Sequence, residues 1–141
     1  MAKKSYEGDG IVVHFEARRC IHAAECVRRL PAVFDVGRRP WILADAAPAD
    51  PIAEIVERCP SGALTYERTD GGRTESVDPV PTIRARRHGP LYLRGSCTVT
   101  DHGGAPVEVG PRAALCRCGG SKNKPFCDNS HLERGFRDPD G

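Results

Sequence analysis

Three cysteines and one histidine near the C-terminus form the clearest chemical pattern in the sequence, at Cys116, Cys118, Cys127 and His131. In an extended chain, residues two apart face the same way, so Cys116 and Cys118 can bind one metal atom together. If residues 127–131 begin a helix, Cys127 and His131 are four apart and share a face. Two such pairs suit a cluster of two irons, with one pair of ligands on each iron.

This segment resembles the CDGSH iron–sulfur motif of the mitoNEET family, C-x-C-x2-[ST]-x3-P-x-C-D-G-[ST]-H. The positions in register are Cys116, Cys118, Ser121, Pro125, Cys127, Asp128, Ser130 and His131. Asn129 stands where the family usually has glycine, and Asn also tolerates a left-handed backbone. The resemblance covers residues 80–137, and GPLYLRG at 89–95 resembles the family's first strand. It implies a 2Fe-2S cluster held by the three cysteines and His131.

A zinc site on the same Cys3His set is the alternative interpretation. The matching Ser, Pro and Asp positions extend beyond the ligands and favour the iron–sulfur cluster. A neutral imidazole in place of a thiolate makes such a cluster less negative and raises its reduction potential. Histidine also takes up a proton near neutral pH, so we expect the potential and the retention of the cluster to depend on pH. Arg117, Lys122 and Lys124 are expected to offset the negative charge of the cluster.

A second, less complete pattern lies in the N-terminal half, at Cys20, Cys26 and Cys59-Pro60. Bacterial ferredoxins use C-x2-C-x2-C and a remote cysteine followed by proline. Here Ala23 occupies the middle position. Three cysteines can hold a 3Fe-4S cluster, the form that the residues alone slightly favour. A 4Fe-4S cluster needs a fourth ligand, for which His22 is the candidate.

Residues 9–68 resemble the divergent single-cluster ferredoxin domains that are often joined to CDGSH modules, and more distantly the ferredoxins that feed haem monooxygenases. That family is described as carrying a 4Fe-4S cluster. The alternative is that the three cysteines are packed in an apolar core, since Cys26 falls on a predicted helix and Cys59 at the end of an apolar helical face.

The pattern of the elements predicts an α+β fold: a small ferredoxin-like domain over 9–70, then a β-rich CDGSH-type domain over 80–137. In the first domain, strands are predicted over 11–16, around 41–43 and over 63–67, and a helix over 23–30. A second helix is expected to have Asp50 as its N-cap and Pro51 at its first position. Its apolar face is Ile52, Ile55, Val56 and Cys59, and it ends at Pro60. Residues 69–81 are rich in turn formers and predict the domain boundary.

In the second domain, Leu91, Leu93, Cys97 and Val99 alternate as on one strand, which predicts that Cys97 is a buried core thiol. The remaining histidines have no partner at ligand spacing and are expected to be surface or strand residues: His14, His88 and His102. Three arginines form a basic run, at Arg84, Arg86 and Arg87. They are expected to lie on a solvated strand face, or else to form a binding surface for an acidic redox partner.

The composition sets limits on the function. A net charge of +2 gives no indication of nucleic-acid binding. There is neither a signal-peptide pattern nor an apolar stretch long enough to span a membrane, and seven cysteines suggest metal ligation in a reducing compartment, so a cytoplasmic protein is expected. Hydrophobic residues make up 39% and aromatic residues 6%, so the cores are thin and a metal would help to stabilise them.

No nucleophile with a base, nucleotide loop or paired carboxylate is recognisable, which favours a non-enzymatic protein. The leading hypothesis is electron transfer by two clusters between redox partner proteins. The alternatives are a cluster donor or sensor that serves apo iron–sulfur acceptors, and a zinc-stabilised interaction module. The resemblance also implies that a homodimer with exchanged strands can form, although the N-terminal domain could supply the missing packing instead.

Overall fold

The computed structural model describes residues 3–139. The chain folds into two compact units. The first unit contains the residues up to Ala17, then His22–Cys59 and Ala63–Ser76. The second contains Arg18–Ile21, Pro60–Gly62 and the residues from Val77 onward. Two short segments from the N-terminal half of the sequence therefore belong to the second unit. The small sheets and short helices together make an α+β fold.

The first unit is built on an antiparallel sheet in the order β1-β2-β3. Its strands are β1 (Lys4–Glu7), β2 (Ile11–Phe15) and β3 (Leu64–Arg68). Ile11 and Val13 alternate on the buried face of the central strand, which is why β2 was predictable from the sequence. β1 was not predicted, because its Lys, Ser and Glu side chains are exposed and only Tyr6 packs on the core.

The first unit has two helices, α1 (Glu25–Arg29) and α2 (Ala49–Glu57); α2 packs against β2 and β3, and α1 packs against α2. Ile52 and Val56 lie one turn apart and are fully buried against a core that includes Phe34. The predicted helices and the predicted strands over 11–16 and 63–67 are thus confirmed in type, with bounds that differ by a few residues.

The ends of α2 differ from the prediction. The N-cap is Pro48, and Asp50 lies inside the first turn, where its carboxylate accepts a hydrogen bond from Arg68 at 2.8 Å. The helix ends at Glu57, with Arg58 as its C-cap, so Pro60 does not terminate it. Cys59 therefore lies beyond the helix, and its N–H donates a hydrogen bond to the carbonyl of Val56 at 3.0 Å.

The strand predicted around residues 41–43 is wrong. Only one isolated bridge forms there, between Phe34 and Ile42. Ile42 is buried through side-chain packing, and the ring of Trp41 lies against the rings of Phe15 and Phe34, at centroid distances of 4.9 and 5.9 Å. A short apolar run can be buried by packing without strand pairing, and its periodicity does not separate the two cases.

The second unit contains a three-stranded antiparallel sheet in the order β4-β5-β8 and a two-stranded sheet of β6 and β7. Its elements are β4 (Thr82–Ala85), β5 (Leu91–Arg94), β6 (Val99–Thr100), β7 (Pro106–Val107), β8 (Arg112–Leu115) and α3 (Ser130–Glu133). Its apolar core is small and centres on Leu93, Val109 and Ala113.

The prediction that Cys97 is a buried core thiol is also wrong, because Cys97 is exposed. β5 ends at Arg94, and Gly95 turns the chain with a φ of 107°. The N–H groups of Gly95 and Ser96 then bond to the carbonyls of Pro111 and Asp78, so the alternation that began at Leu91 stops. None of the described helices has the length and the apolar composition needed to cross a membrane.

Candidate metal centre

Cys116 and Cys118 follow β8 directly and are the first pair of candidate ligands. The N–H of Cys116 donates to the carbonyl of Pro125 at 2.8 Å, next to a bridge between Leu115 and Phe126. After the strand the chain bends at residues 117–119, and the Sγ atoms of Cys116 and Cys118 are 4.0 Å apart. Both residues are half-buried.

Cys127 and His131 form the second pair, and both are buried. The N–H of Cys127 donates to the carbonyl of Ala114 at 2.8 Å, and its Sγ lies 3.6 Å from Nδ1 of His131. The two residues do not share a helix as expected, because α3 begins only at Ser130. Asn129 takes the left-handed conformation expected of it, with a φ of 71°, and this turn brings the two side chains together.

The spacing within each pair fits one tetrahedral metal atom. With metal–sulfur bonds of about 2.3 Å and metal–nitrogen bonds of about 2.05 Å, tetrahedral angles require about 3.8 Å between two sulfurs and about 3.6 Å between sulfur and nitrogen. The observed separations are 4.0 and 3.6 Å. Among residues 3–139, no three His, Cys, Asp or Glu side chains gather around a position for one metal ion.

Backbone N–H groups point at the sulfur atoms. Gly120 donates to Sγ of Cys118 at 3.3 Å, and Asn129 donates to Sγ of Cys127 at 3.4 Å. Burial raises the pKa of the Cys116 thiol, but hydrogen bonds from the N–H groups of Ser121 and Gly119 outweigh it, and the pKa lies below its usual value. These bonds stabilise the thiolate, which is the form that binds metal.

The environment of the second pair has the opposite effect on its thiol. Burial raises the pKa of Cys127, and the N–H of Asn129 opposes this only in part. Burial lowers the pKa of His131, and the positive charge of Arg86 lowers it further. Both effects favour the neutral imidazole, which is the form that can bind a metal, whereas a metal bound at Cys127 would have to displace the thiol proton.

Ser121, Asp128 and Ser130 shape the loop that carries the ligands. The hydroxyl of Ser121 donates to the carbonyl of Phe126 at 2.6 Å. The carboxylate of Asp128 accepts from the hydroxyl and the N–H of Ser130 and from the N–H of Lys122, and these bonds lower its pKa. The non-ligand residues of the motif thus satisfy the backbone of a tight loop.

Arg117, which was expected to offset the charge of the cluster, is paired with an acidic side chain. Its guanidinium forms an ion pair with Asp138 at 2.6 Å and donates to the carbonyls of Gly89 and Arg86 at 2.8 and 2.9 Å. Its charge is thus balanced by Asp138, whose pKa this ion pair lowers to about 2. No local pattern indicated Asp138, because it lies far from Arg117 along the chain.

The three histidines without a predicted ligand role have other contacts or are exposed. His14, on β2, bonds to Ser5 at 2.7 Å and to Glu67 at 2.6 Å. The N–H of His88 donates to the carboxylate of Asp138 at 2.7 Å. His102 is exposed in a turn.

The N-terminal cysteines are divided between the units. Cys26 lies on α1 and Cys59 lies just beyond α2, and both pack against the apolar core of the first unit. Cys20 is half-buried and belongs to the second unit with Arg18–Ile21. His22 is exposed, with a φ of 58°. None of the cysteines is joined in a disulfide. The ligand role of Cys20, Cys26 and Cys59 stays a prediction.

Two family models match this chain in sequence, one in each half. The first, described as a divergent 4Fe-4S mono-cluster, matches residues 6–69. The second, described as an iron-binding zinc finger of CDGSH type, matches residues 88–132. Their order is the one that the motifs predicted, with the single-cluster domain before the CDGSH domain.

Two curated relatives come from bacteria and carry the same name, uncharacterized protein YjdI, in Escherichia coli strain K12 and in Escherichia coli O157:H7. Each is 36% identical to this chain over 63 residues. The match covers 45% of this chain and 83% of the relative.

Proposed function

We propose that this chain, which belongs to the family of divergent 4Fe-4S mono-cluster proteins and carries a CDGSH-type iron-binding domain after that region, transfers electrons through two clusters and is not an enzyme. The C-terminal centre is a 2Fe-2S cluster on Cys116, Cys118, Cys127 and His131. The observation that carries this proposal is the spacing of the two ligand pairs, 4.0 Å between sulfurs and 3.6 Å between sulfur and nitrogen.

A bound 2Fe-2S cluster supplies reversible one-electron exchange. The protein's contribution is to set the potential at which that exchange occurs. Three thiolates and a neutral imidazole carry less negative charge than four thiolates, which favours the reduced state. The N–H groups of Gly120 and Asn129, aimed at Cys118 and Cys127, favour it further because they stabilise negative charge on sulfur.

The N-terminal cluster is proposed to be held by Cys20, Cys26 and Cys59. On these three cysteines alone it is a 3Fe-4S cluster. The matching family is named for the 4Fe-4S type, which requires a fourth ligand, and His22 is the residue proposed for it. Two ligand sets of different charge give the two clusters different potentials and so a direction for electron flow.

Iron and sulfide analysis with EPR spectroscopy on anaerobically purified protein tests this function. The expected result is a coloured protein with a 2Fe-2S signal after reduction. About five irons per chain indicate a 3Fe-4S partner cluster and about six a 4Fe-4S cluster. A colourless protein that contains zinc contradicts the proposal.

A second candidate function is the donation of the C-terminal cluster to an apo iron–sulfur acceptor. It is favoured by the half-buried state of Cys116 and Cys118, which leaves their metal position within reach of an acceptor thiol. Mixing the loaded protein with an apo-ferredoxin distinguishes the two functions. Cluster appearance on the acceptor without reversible reduction supports the donor, and stable redox cycling without transfer supports the carrier.

The C-terminal cluster is expected to be lost on mild acidification. A proton on the imidazole of His131 competes with iron, so retention is complete when histidine is neutral and falls as the pH drops. His131→Cys should remove this dependence and slow the release of the cluster, followed by visible absorbance between neutral and mildly acidic pH. His102→Ala, at an exposed turn, is the matched control and should behave as the wild type does. Release at a constant rate across this pH range in the wild type would falsify the expectation.

The proposed setting is the cytoplasm, where thiols stay reduced, with redox proteins or apo iron–sulfur proteins as partners. A homodimer is proposed for the assembly, because the small core around Leu93, Val109 and Ala113 gains stability from a second copy. Light scattering on the loaded protein tests this, and a monomer at micromolar concentration contradicts it.

A further inference from the structure

The segment Arg18–Ile21 belongs to the second unit and contacts the loop that carries Cys127. The side-chain amide of Asn123 donates to the carbonyl of Arg18 at 3.0 Å. The amide of Asn129 donates to the carbonyl of Ile21, also at 3.0 Å. One loop residue before Cys127 and one after it therefore hold the two ends of the segment.

Arg19 anchors the middle of the same segment. Its guanidinium is buried and lies 4.4 Å from the centre of the Phe126 ring, directly before Cys127 in sequence. Its Nη2 donates to the carbonyls of Ser61, Val109 and Arg112, at 3.0, 2.8 and 2.8 Å. A buried charge satisfied by several carbonyls fixes a segment more firmly than surface contacts do, because breaking it would expose unpaired polar groups.

The packing around Arg19 leaves little space. Gly62 has a φ of 74°, and a Cβ there would lie 2.0 Å from the carbonyl oxygen of Arg112 and 2.6 Å from Nη2 of Arg19. Only glycine fits such an approach without a shift of the backbone. Arg18–Ile21 is therefore closely packed within the second unit.

Asn129 connects this segment to a metal ligand. Asn129 has a φ of 71°, a conformation that glycine adopts at a lower energetic cost than any other residue. The backbone conformation alone therefore gives asparagine no advantage over glycine at this position. Its side chain, however, holds Ile21, while its backbone N–H donates to Sγ of Cys127 at 3.4 Å. Fixing the side chain also fixes the peptide that carries this N–H, since the two groups belong to one residue.

We propose that Asn129 and Asn123 are positioning residues that tie Arg18–Ile21 to the Cys127 side of the metal centre and thereby hold the Asn129 N–H on the Cys127 sulfur. The tie slows the release of the C-terminal cluster and raises its reduction potential. This inference rests on the proposed 2Fe-2S centre. It assigns Asn129 a function that glycine at the same position cannot provide.

Asn129→Gly is the central test, because it suits the left-handed backbone and removes only the amide. With a hydrogen bond contributing about 1 kcal/mol, release of the cluster to a chelator should become about fivefold faster. The midpoint potential should fall, because the N–H bond that favours the reduced cluster loosens. Asn123→Ala should accelerate release similarly. Leu132→Ala, at a neutral position that is 70% exposed, is the matched control and should leave both properties unchanged.

Hydrogen–deuterium exchange of the peptide that spans residues 17–24 tests the tie independently of the cluster. Exchange there should accelerate in Asn129→Gly and not in Leu132→Ala. Unchanged exchange, or release and potential equal to those of the control, overturns the inference while the 2Fe-2S assignment stands. A wild type without a 2Fe-2S spectrum contradicts the proposed function instead, and exchange in that protein still decides whether the tie exists.

Discussion

The first unit buries a continuous apolar core that includes Phe34, Ile52 and Val56, whereas the core of the second is small and centres on Leu93, Val109 and Ala113. In the second unit the buried side chains include polar ones, among them Arg19, Arg112, Ser121 and His131. Apolar burial therefore contributes more to the stability of the first unit than to that of the second. The second relies more on hydrogen-bonded loops, and a metal centre would contribute directly to its folding energy.

The two proposed ligand sets also differ in how their residues are distributed along the chain. Cys116, Cys118, Cys127 and His131 lie close in sequence, and the structure forms both pairs within one unit. The N-terminal cysteines are dispersed, with Cys26 and Cys59 in the first unit and Cys20 in the second. Ligands on one short loop are positioned by local turns and hydrogen bonds, while dispersed ligands depend on how the whole chain folds.

Removal of a ligand should have the largest effect and should be confined to one cluster. Cys127→Ser replaces a buried thiolate with a poor iron ligand, so the 2Fe-2S signal should be almost completely lost. Cys26→Ser should reduce the signal of the other cluster and leave the 2Fe-2S signal in place. EPR with iron analysis measures both, and a Cys127→Ser protein with a full 2Fe-2S signal would contradict the assignment.

A cavity in the first core should lower stability without touching the C-terminal cluster. Ile52 is fully buried, and Ile52→Ala is expected to cost about 2–5 kcal/mol. Ile83→Ala, on β4 and 60% exposed, should stay within about 0.5 kcal/mol. Denaturant unfolding by circular dichroism gives both values. Loss of the 2Fe-2S spectrum in folded Ile52→Ala would show that the units do not behave separately.

The ion pair of Arg117 and Asp138 should stabilise the second unit in a pH-dependent manner. The carboxyl of Asp138 has a pKa of about 2 in the folded chain, against the usual 3.8. The ion pair therefore makes its full contribution to stability above about pH 3.8, and this contribution is lost as the pH falls towards 2. Asp138→Asn should lower the Tm at neutral pH, and the difference from the wild type should shrink below pH 4. Because both proteins are expected to lose the cluster in acid, the difference between their Tm values reports on the carboxylate alone. A constant difference down to pH 2 would refute the assignment.

Cys97 should give the smallest effect of all. It is exposed and has no place in either ligand set, so Cys97→Ser should change stability by no more than about 0.5 kcal/mol and leave both clusters unchanged. Thermal unfolding and visible absorbance check this. A large destabilisation would mean that the thiol is packed as the strand alternation first suggested.

The sequence by itself determined what depends on residue type and short spacing. The C-terminal motif, the left-handed turn at Asn129, the buried alternation of β2 and the apolar face of α2 are set by local geometry, and the pattern of residues carries that geometry. Two family matches in the predicted order agree with this.

Only the tertiary structure decided the features that depend on distant partners. It ended β5 before Gly95 and exposed Cys97, and it buried Ile42 without a strand. It also paired Arg117 with Asp138, and it placed Arg18–Ile21 against the loop around Cys127. These outcomes depend on contacts between backbone carbonyls and side chains that are distant in sequence. Periodic patterns along the chain do not predict such contacts.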